Sequence, residues 1–207
     1  MADASFAIRE LESNFMKRNI DVLWFAVFED VKGYLLEQIP AGATVGIGHS
    51  QTLQGIGIIE ALLERGHTVF DKELGGTKEE ARQLKKSALL ADCYLSGANA
   101  VSIDGRIVNI DHSGNRVAAL AYGPDRVFVV VGRNKITNTH EEAIKRAKNT
   151  ASPKNAKRAG YHPPCVTIGY CTDCLSSERV CNIISTIQGQ HEKGRMTLLI
   201  VNEDAGY

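Results

Sequence analysis

Apolar positions along the chain change their period several times, and each change marks an element. Residues 4–19 and then 21–38, where Leu23, Val27, Val31, Tyr34 and Leu35 recur at three- and four-residue spacing, predict two amphipathic helices. The short apolar run "TVGIG" (44–48) predicts a strand. Leu53, Ile56, Ile59, Leu62 and Leu63 then predict a helix over about 52–65 that turns one face to a sheet. "HTVFD" (67–71) reads as a second strand, and Thr77 with Glu80 three residues on makes a capping-box pattern at the head of a helix over about 78–91. Strand, helix, strand order implies parallel strands with crossover helices, because parallel neighbours cannot be joined by a tight hairpin.

The middle of the chain departs from that rhythm. "CYLSGANAVSIDGRIVNID" holds two or three short β runs, with Asp104-Gly105 supplying a hairpin turn between "AVSI" and "RIVNI". "GNRVAALAYGP" predicts a short helix stopped by Gly123 and Pro124. "RVFVVVG" (126–132) is the most continuously apolar, β-branched run and so the best central strand. "THEEAIKRAKNTASPKN" predicts a helix ending near Pro153, and a last strand is expected over 196–201.

Composition narrows the picture. With 207 residues and 43% hydrophobic side chains, the chain can bury one substantial core, so a single α/β domain over 1–207 is expected, with an N-terminal helical segment (1–38) and a cysteine-rich loop (160–182). A net charge of zero gives no global case for nucleic acid or an anionic membrane. The N-terminus has neither a long apolar run nor a small-residue cleavage site, which points to a cytoplasmic protein. In that compartment thiols stay reduced, which argues against disulfides.

Four groups of residues carry candidate chemistry. Gly46 and Gly48 end a strand and are followed by His49, Ser50 and Thr52 before a helix, a turn able to present backbone N–H groups to a phosphate or carboxylate. It matches neither a P-loop nor the dinucleotide fingerprint, and close strand-to-helix packing explains the glycines equally well, as helix capping does Ser50. Asp104, Asn109, Asp111 and His112 surround the hairpin, where a carboxylate near a carbonyl could act as a general base; Asp104 is equally what the turn requires. Arg133, Asn134 and Lys135 follow the strongest strand, where an α/β fold places its ligand crevice. The fourth group is Cys165-x5-Cys171-x2-Cys174-x6-Cys181, four of five cysteines within seventeen positions. One C-x2-C pair plus two flanking thiols is a four-sulfur set, but the spacing names neither zinc nor a ferredoxin-type cluster, and redox-active or unligated thiols remain a third reading. Cys93, isolated in an apolar run, reads as a small hydrophobe. Lys145, Arg146, Lys148, Lys154, Lys157 and Arg158 precede the cysteines without an acid among them, and Arg179 lies within the loop. Such charge suits an anionic cluster or partner, or merely a solvated helix face.

Taken together, "VGIGHSQTLQGIGI", "GANAVSIDGRIVNIDHSGNRVAALAYGPDRVFVVVGRNKI" and "IVNEDAGY" resemble the LUD-domain family, which includes LutC/YkgG-like lactate-utilisation proteins. The likeness covers about residues 5–207 and is most specific from Gly97 to Ile136, through Asn109, Gly114, Asn115, Arg116, Gly123, Pro124, Gly132, Asn134 and Lys135. It implies a three-layer α/β/α, mostly parallel fold similar to NagB/RpiA/CoA-transferase-like proteins, with a small β-hairpin element and the cysteine-rich loop. It also implies a role linked to oxidation of lactate to pyruvate within an iron-sulfur system, and thereby favours an iron-sulfur cluster, four-iron by the ligand count, over zinc. The partners implied are a small anionic molecule and iron-sulfur oxidoreductase subunits, with a homo-oligomer left open and neither nucleic acid nor membrane. The alternative is a transferase or isomerase acting on CoA esters or sugar phosphates, with structural zinc or thiols. Fold likeness establishes neither chemistry.

Overall fold

The computed structural model describes residues 2–207, with side chains from Ala7 onward. The chain runs α1 (Ala2–Met16), β1 (Ile20–Phe25), α2 (Phe28–Gln38), β2 (Thr44–Ile47), α3 (Gln51–Gly55), α4 (Ile58–Glu64), β3 (Thr68–Phe70), α5 (Lys78–Ser87), β4 (Cys93–Gly97), β5 (Ala100–Ser102) and β6 (Arg106–Asp111). It continues with α6 (Asn115–Ala121), β7 (Arg126–Gly132), β8 (Ile136–Thr137), α7 (His140–Arg146), α8 (Ser152–Arg158), α9 (Pro164–Ile168), β9 (Ile183–Ile187) and β10 (Met196–Val201).

Six strands form one parallel sheet in the order β1-β10-β7-β4-β2-β3. As its sequence predicts, β7 lies inside this sheet, between β10 and β4, and is apolar on both faces. Val127, Val129 and Val131 meet Leu11 and Phe15 of α1 and Leu120 of α6, whereas Phe128 and Val130 meet Leu35 of α2, Leu53 of α3 and Ile58 of α4. Helices on both faces make the three-layer α/β architecture. A second sheet, β8-β5-β6-β9, is built on the Asp104-Gly105 hairpin, where Gly105 takes φ +84°. One of its faces (Val101, Ile107) joins the core beneath the large sheet; the other (Ala100, Val108, Ile110) packs on Ala143 of α7 and on Ala147.

Four sequence expectations require correction. The helix expected over 21–38, and with it the wholly helical 1–38 segment, is a strand followed by a helix: "IDVLWF" pairs in parallel with β10, and only 28–38 is helical. Asn19 at φ 58° turns the chain out of α1, and the β-branched and aromatic residues that follow prefer the pleated sheet edge. The helix over 52–65 is two, because Gly57 adopts φ 62° between α3 and α4. The helix expected to end near Pro153 runs on to Arg158. A π-helical turn (147–151) precedes the proline and widens the backbone where its missing N–H and bulky ring would clash with a regular turn. Finally, 183–187, read as part of no element, is β9, an edge strand with Ile183 and Ile184 exposed.

The connections locate a crevice. From β2 the chain passes through α3 and α4 on one face of the sheet to reach β3, whereas from β4 it passes through the second sheet and α6 on the other face to reach β7. The loops leaving β2 and β4 therefore part at adjacent strands, the topological switch point where open α/β sheets bind ligands. Among the described residues, no helix is long and apolar enough to cross a membrane.

Candidate functional site

A polar cleft of about 740 Å³ lies at the carboxyl ends of the parallel strands. His49 and Ser50 reach it from the end of β2, Lys72 and Glu73 from β3, Ala98 and Asn99 from β4, Lys135 from β7, and Gly206 and Tyr207 from β10. Asp111, His112 and Arg116 enter from the second sheet and α6; Asn155, Arg158 and Tyr161 enter from α8 and the loop after it. Four cations (Lys72, Lys85, Arg116 and Arg158) and the amine of Lys135 face two carboxylates (Glu73 and Asp111). Such an excess in a partly desolvated crevice favours an anionic ligand.

Lys135 is the most unusual of these groups. It is 3% exposed, and its Nζ donates to Thr52 Oγ1 at 3.2 Å. Burial, with Arg146 and Arg116 nearby, lowers its pKa to about 7. Burial likewise lowers His49 to about 4, helped by Lys72 and Arg158 and opposed by Glu73, so the ring is neutral at pH 7. Its Nε2 accepts from Arg158, while Nδ1 lies 3.4 Å from Glu73 Oε1. Arg116 is fixed by Nη2 bonds to Ile110 O (2.6 Å) and Asn99 Oδ1 (3.1 Å). The Tyr207 and Ser152 hydroxyls are buried in this wall without a hydrogen-bond partner among the described residues.

The residues singled out in the sequence separate here. His49, Ser50, Asp111, His112 and Lys135 line the cleft; Gly46, Gly48, Thr52, Asp104, Asn109, Arg133 and Asn134 do not. Gly46 is a packing residue, since a Cβ there would lie 2.7 Å from both Ala88 O and Tyr94 Cδ2; at Gly48 it would meet Ser96 Oγ at 2.9 Å. Thr52 acts from behind by holding Lys135. Ser50 occupies the position before α3 but makes no capping bond, and its Oγ lies against Gly97 instead. Asp111 has a local job: Oδ2 accepts from the N–H groups of Arg116 and Val117, and Oδ1 from that of His112. His112 stacks edge-on against Tyr161 at 5.1 Å. Asp104 is tied into its turn by Ser102 and Arg106. Asn109 is fully buried in β6, and neither its amide nor the hydroxyl of Ser185 opposite it has a hydrogen-bond partner among the described residues. Arg133 pairs with Asp204 at 3.1 Å, and Asn134 Oδ1 accepts from Ala205 N–H, so both hold the final segment.

A smaller cavity adjoins the cleft, lined by Cys165, Cys171, Cys174 and Cys181 together with Lys148, Pro163 and Thr172; Ser152 and Val180 line both spaces. The π-helical turn aims Lys148 at the cavity, and Asn149 Oδ1 accepts from Cys171 N–H at 2.9 Å. Asp173, at φ 51°, donates its N–H to Cys171 Sγ. Arg179 crosses the loop, donating to Cys174 O, Cys181 O and Cys181 Sγ. All five cysteines are free thiols, and Cys93 is buried in β4. Burial raises the Cys165 pKa, and Cys174, Cys181 and Cys171 raise it further through like-charge repulsion, so the four sulfurs sense one another. Among the described residues no three His, Cys, Asp or Glu side chains form a closed metal-binding group; the cysteines meet around a shared cavity instead. The four sulfurs border one small cavity with Lys148 in its wall and Arg179 bonded to Cys181 Sγ, without converging as a closed ligand set.

The basic run before the cysteines is thus divided. Lys145, Lys154 and Lys157 are exposed, Arg146 donates to Asn134 O and Asn99 O, Lys148 faces the cysteine cavity, and Arg158 faces the cleft. Sequence reasoning missed Lys72, Glu73, Lys85, Asn99, Asn155 and Tyr161 as cleft residues, because only strand order brings them together.

Comparison with known proteins agrees with this architecture. Among solved structures, a DUF162 family protein from Deinococcus radiodurans is similar over 95% of this chain and 96% of its own, at 16% identity and a TM-score of 0.54, a likeness of fold. Lower TM-scores attach to ribose 5-phosphate isomerase A from Methanocaldococcus jannaschii (0.39; 16% identity; 56% of each chain) and ribose 5-phosphate isomerase from Plasmodium falciparum (0.35; 14% identity; 54% of this chain and 52% of that one). No curated protein matches significantly. The family model for the LUD domain matches residues 8–201, across both sheets and the cysteine loop, and the chain therefore belongs to the LUD domain family.

Proposed function

We propose that the protein binds a small anionic metabolite, a carboxylate or phosphate, in the cleft and holds an iron-sulfur cluster on Cys165, Cys171, Cys174 and Cys181, serving electron transfer or assembly in a lactate-oxidising system. Family membership supports a role related to lactate utilisation in general. The observation that supports the finer reading is a shared wall: Ser152 and Val180 line both the cation-lined cleft and the four-cysteine cavity. When bound, such a cluster supplies one-electron transfer.

The chain's own residues have separable tasks. Arg116, pinned by Ile110 O and Asn99, is preorganised to meet a carboxylate or phosphate without reorganising. Lys135 adds a buried amine held by Thr52. Neutral His49 accepts from Arg158 and orients it across the mouth. Around the cysteines, Arg179 and Lys148 place positive charge against thiolates, and Pro163 and Val180 limit water.

The test is protein purified without oxygen, assayed for iron, sulfide and zinc and by absorption spectrum, then screened for stabilisation by lactate, pyruvate, CoA esters and sugar phosphates. Iron and sulfide near four per chain, with a thermal shift from a small carboxylate, supports the reading. Colourless protein with stoichiometric zinc, or without metal, overturns the cluster; stabilisation by CoA esters or sugar phosphates alone moves the cleft to transferase or isomerase chemistry.

A further inference from the structure

We propose that Lys135 is a carbonyl-reactive amine, which takes the aldehyde or ketone group of a small anionic oxo acid in the cleft as a Schiff base. The inference rests on reading the cleft as an anion site, and it adds a covalent chemistry to that site. Lys135 is carried by the single turn that follows β7, and its side chain is buried between α3 and the final segment of the chain. A Cβ on Gly206 would lie 3.1 Å from Nζ and 2.9 Å from Thr52 Oγ1, so the bare backbone there leaves the amine its place at the cleft wall. Among the described residues no carboxylate lies within ion-pairing distance of Nζ, whereas the nearby charges, Arg116 on α6 and Arg146 on α7, are both positive. A buried ammonium without a counterion is costly, and the cost falls away when the amine is neutral. Neutral Nζ then donates one N–H to Thr52 Oγ1 and keeps its lone pair for an electrophile.

The same surroundings choose the electrophile's class. Arg116 can hold a carboxylate while the adjacent carbonyl carbon meets Nζ. The lone pair forms a C–N bond as the carbonyl π pair moves to oxygen, and a proton passes from nitrogen to that oxygen, giving a carbinolamine. Loss of the hydroxyl with the remaining nitrogen proton, as water, gives the C=N bond. The exchange is amine plus carbonyl for imine plus water, and no oxidant or reductant is needed.

The test incubates the full-length protein with low concentrations of pyruvate or glyoxylate plus cyanoborohydride, followed by intact mass and peptide mapping. The expected result with pyruvate is one adduct, on Lys135, with a mass gain equal to pyruvic acid less one oxygen. Its rate should rise through pH 7, ~tenfold per unit on the acid side, as the amine loses its proton among Arg116, Arg146 and Thr52. Lys135→Arg should abolish it, and Lys154→Arg at an exposed position should not. Adducts confined to exposed lysines, no adduct, or equal labelling of Lys135→Arg would each overturn the proposal. Stabilisation by pyruvate without an adduct overturns this chemistry and leaves the anion site standing; an adduct on protein lacking iron supports it and removes only the cluster.

Discussion

At the scale of single residues, contact geometry separates a glycine that binds from one that packs. Gly46 lies against Ala88 O and Tyr94 Cδ2 within the core, so Gly46→Ala should destabilise by about 1–3 kcal/mol through overpacking, read by urea denaturation. Anion affinity, referred to folded protein, should be unchanged, because Gly46 does not line the cleft. His49 and Lys135 provide a pH test whose sign follows from their surroundings. Both have depressed pKa values when folded, so the unfolded chain binds more protons between the two values and stability rises with pH there. For His49 that stability is present above about 6.5 and is lost as pH falls toward about 4. For Lys135 the window runs from about 7 up to 10.5. His49→Gln should therefore flatten melting temperature against pH on the acid side only, and Lys135→Met on the alkaline side only, both seen in thermal melts across pH. The sequence placed Lys135 beside Arg133 and Asn134 as three equivalent candidates. They differ because side chains leaving one turn point three ways, and only Lys135 points back under α3.

Elements were most legible where a local rule and the global fold agree. The Thr77/Glu80 capping box forms as its spacing predicts, with both reciprocal bonds, on a helix whose side chains are otherwise all at least partly exposed. With no buried face to compensate, Thr77→Ala should cost about 1 kcal/mol, measured by chemical denaturation. β7 and the hairpin were equally clear, the first from unbroken apolarity and the second from Asp104-Gly105. Legibility failed where periodicity alone was asked to decide. Over 21–38 the three- and four-residue spacing of apolar side chains runs through a strand, a bend and a helix, and only pairing with β10, nearly 180 residues later in the chain, distinguishes them. "IISTI" carries no clear alternation, and it is held as an edge strand by Ile107 to Asp111 of β6 rather than by its own pattern. Pro153 was read as a stop because a regular helix cannot accept it; the π turn that does accept it also orients Lys148 and Ser152 toward the cysteines.

Over the whole molecule, a chain with no net charge concentrates cations in one crevice, so composition gave no global case for a polyanion and no sign of this local excess. The four cysteines were legible as a set, but their neighbourhood was not, because the shared wall joins α8 to a loop residue more than twenty positions on. If the cysteines hold the proposed cluster, that wall makes a prediction about its removal. The loop from Gly160 to Asn182 contributes no strand to the six-stranded sheet, so Cys171→Ser or chelation should leave the far-ultraviolet dichroism and the main unfolding transition nearly intact. The loop itself is stitched by Arg179, Asn149 and the thiols, and without a bound group it should open locally, with faster amide exchange over 165–181. Val180 then loses its fixed position, and because it also lines the cleft, the thermal shift produced by a bound carboxylate should shrink in the metal-free protein. Linkage requires the converse: a carboxylate that binds more tightly to the loaded protein must slow loss of the cluster to a chelator, followed by bleaching of its absorption. Equal ligand shifts in the two forms, with unchanged bleaching, would mean that Ser152 and Val180 separate two independent sites.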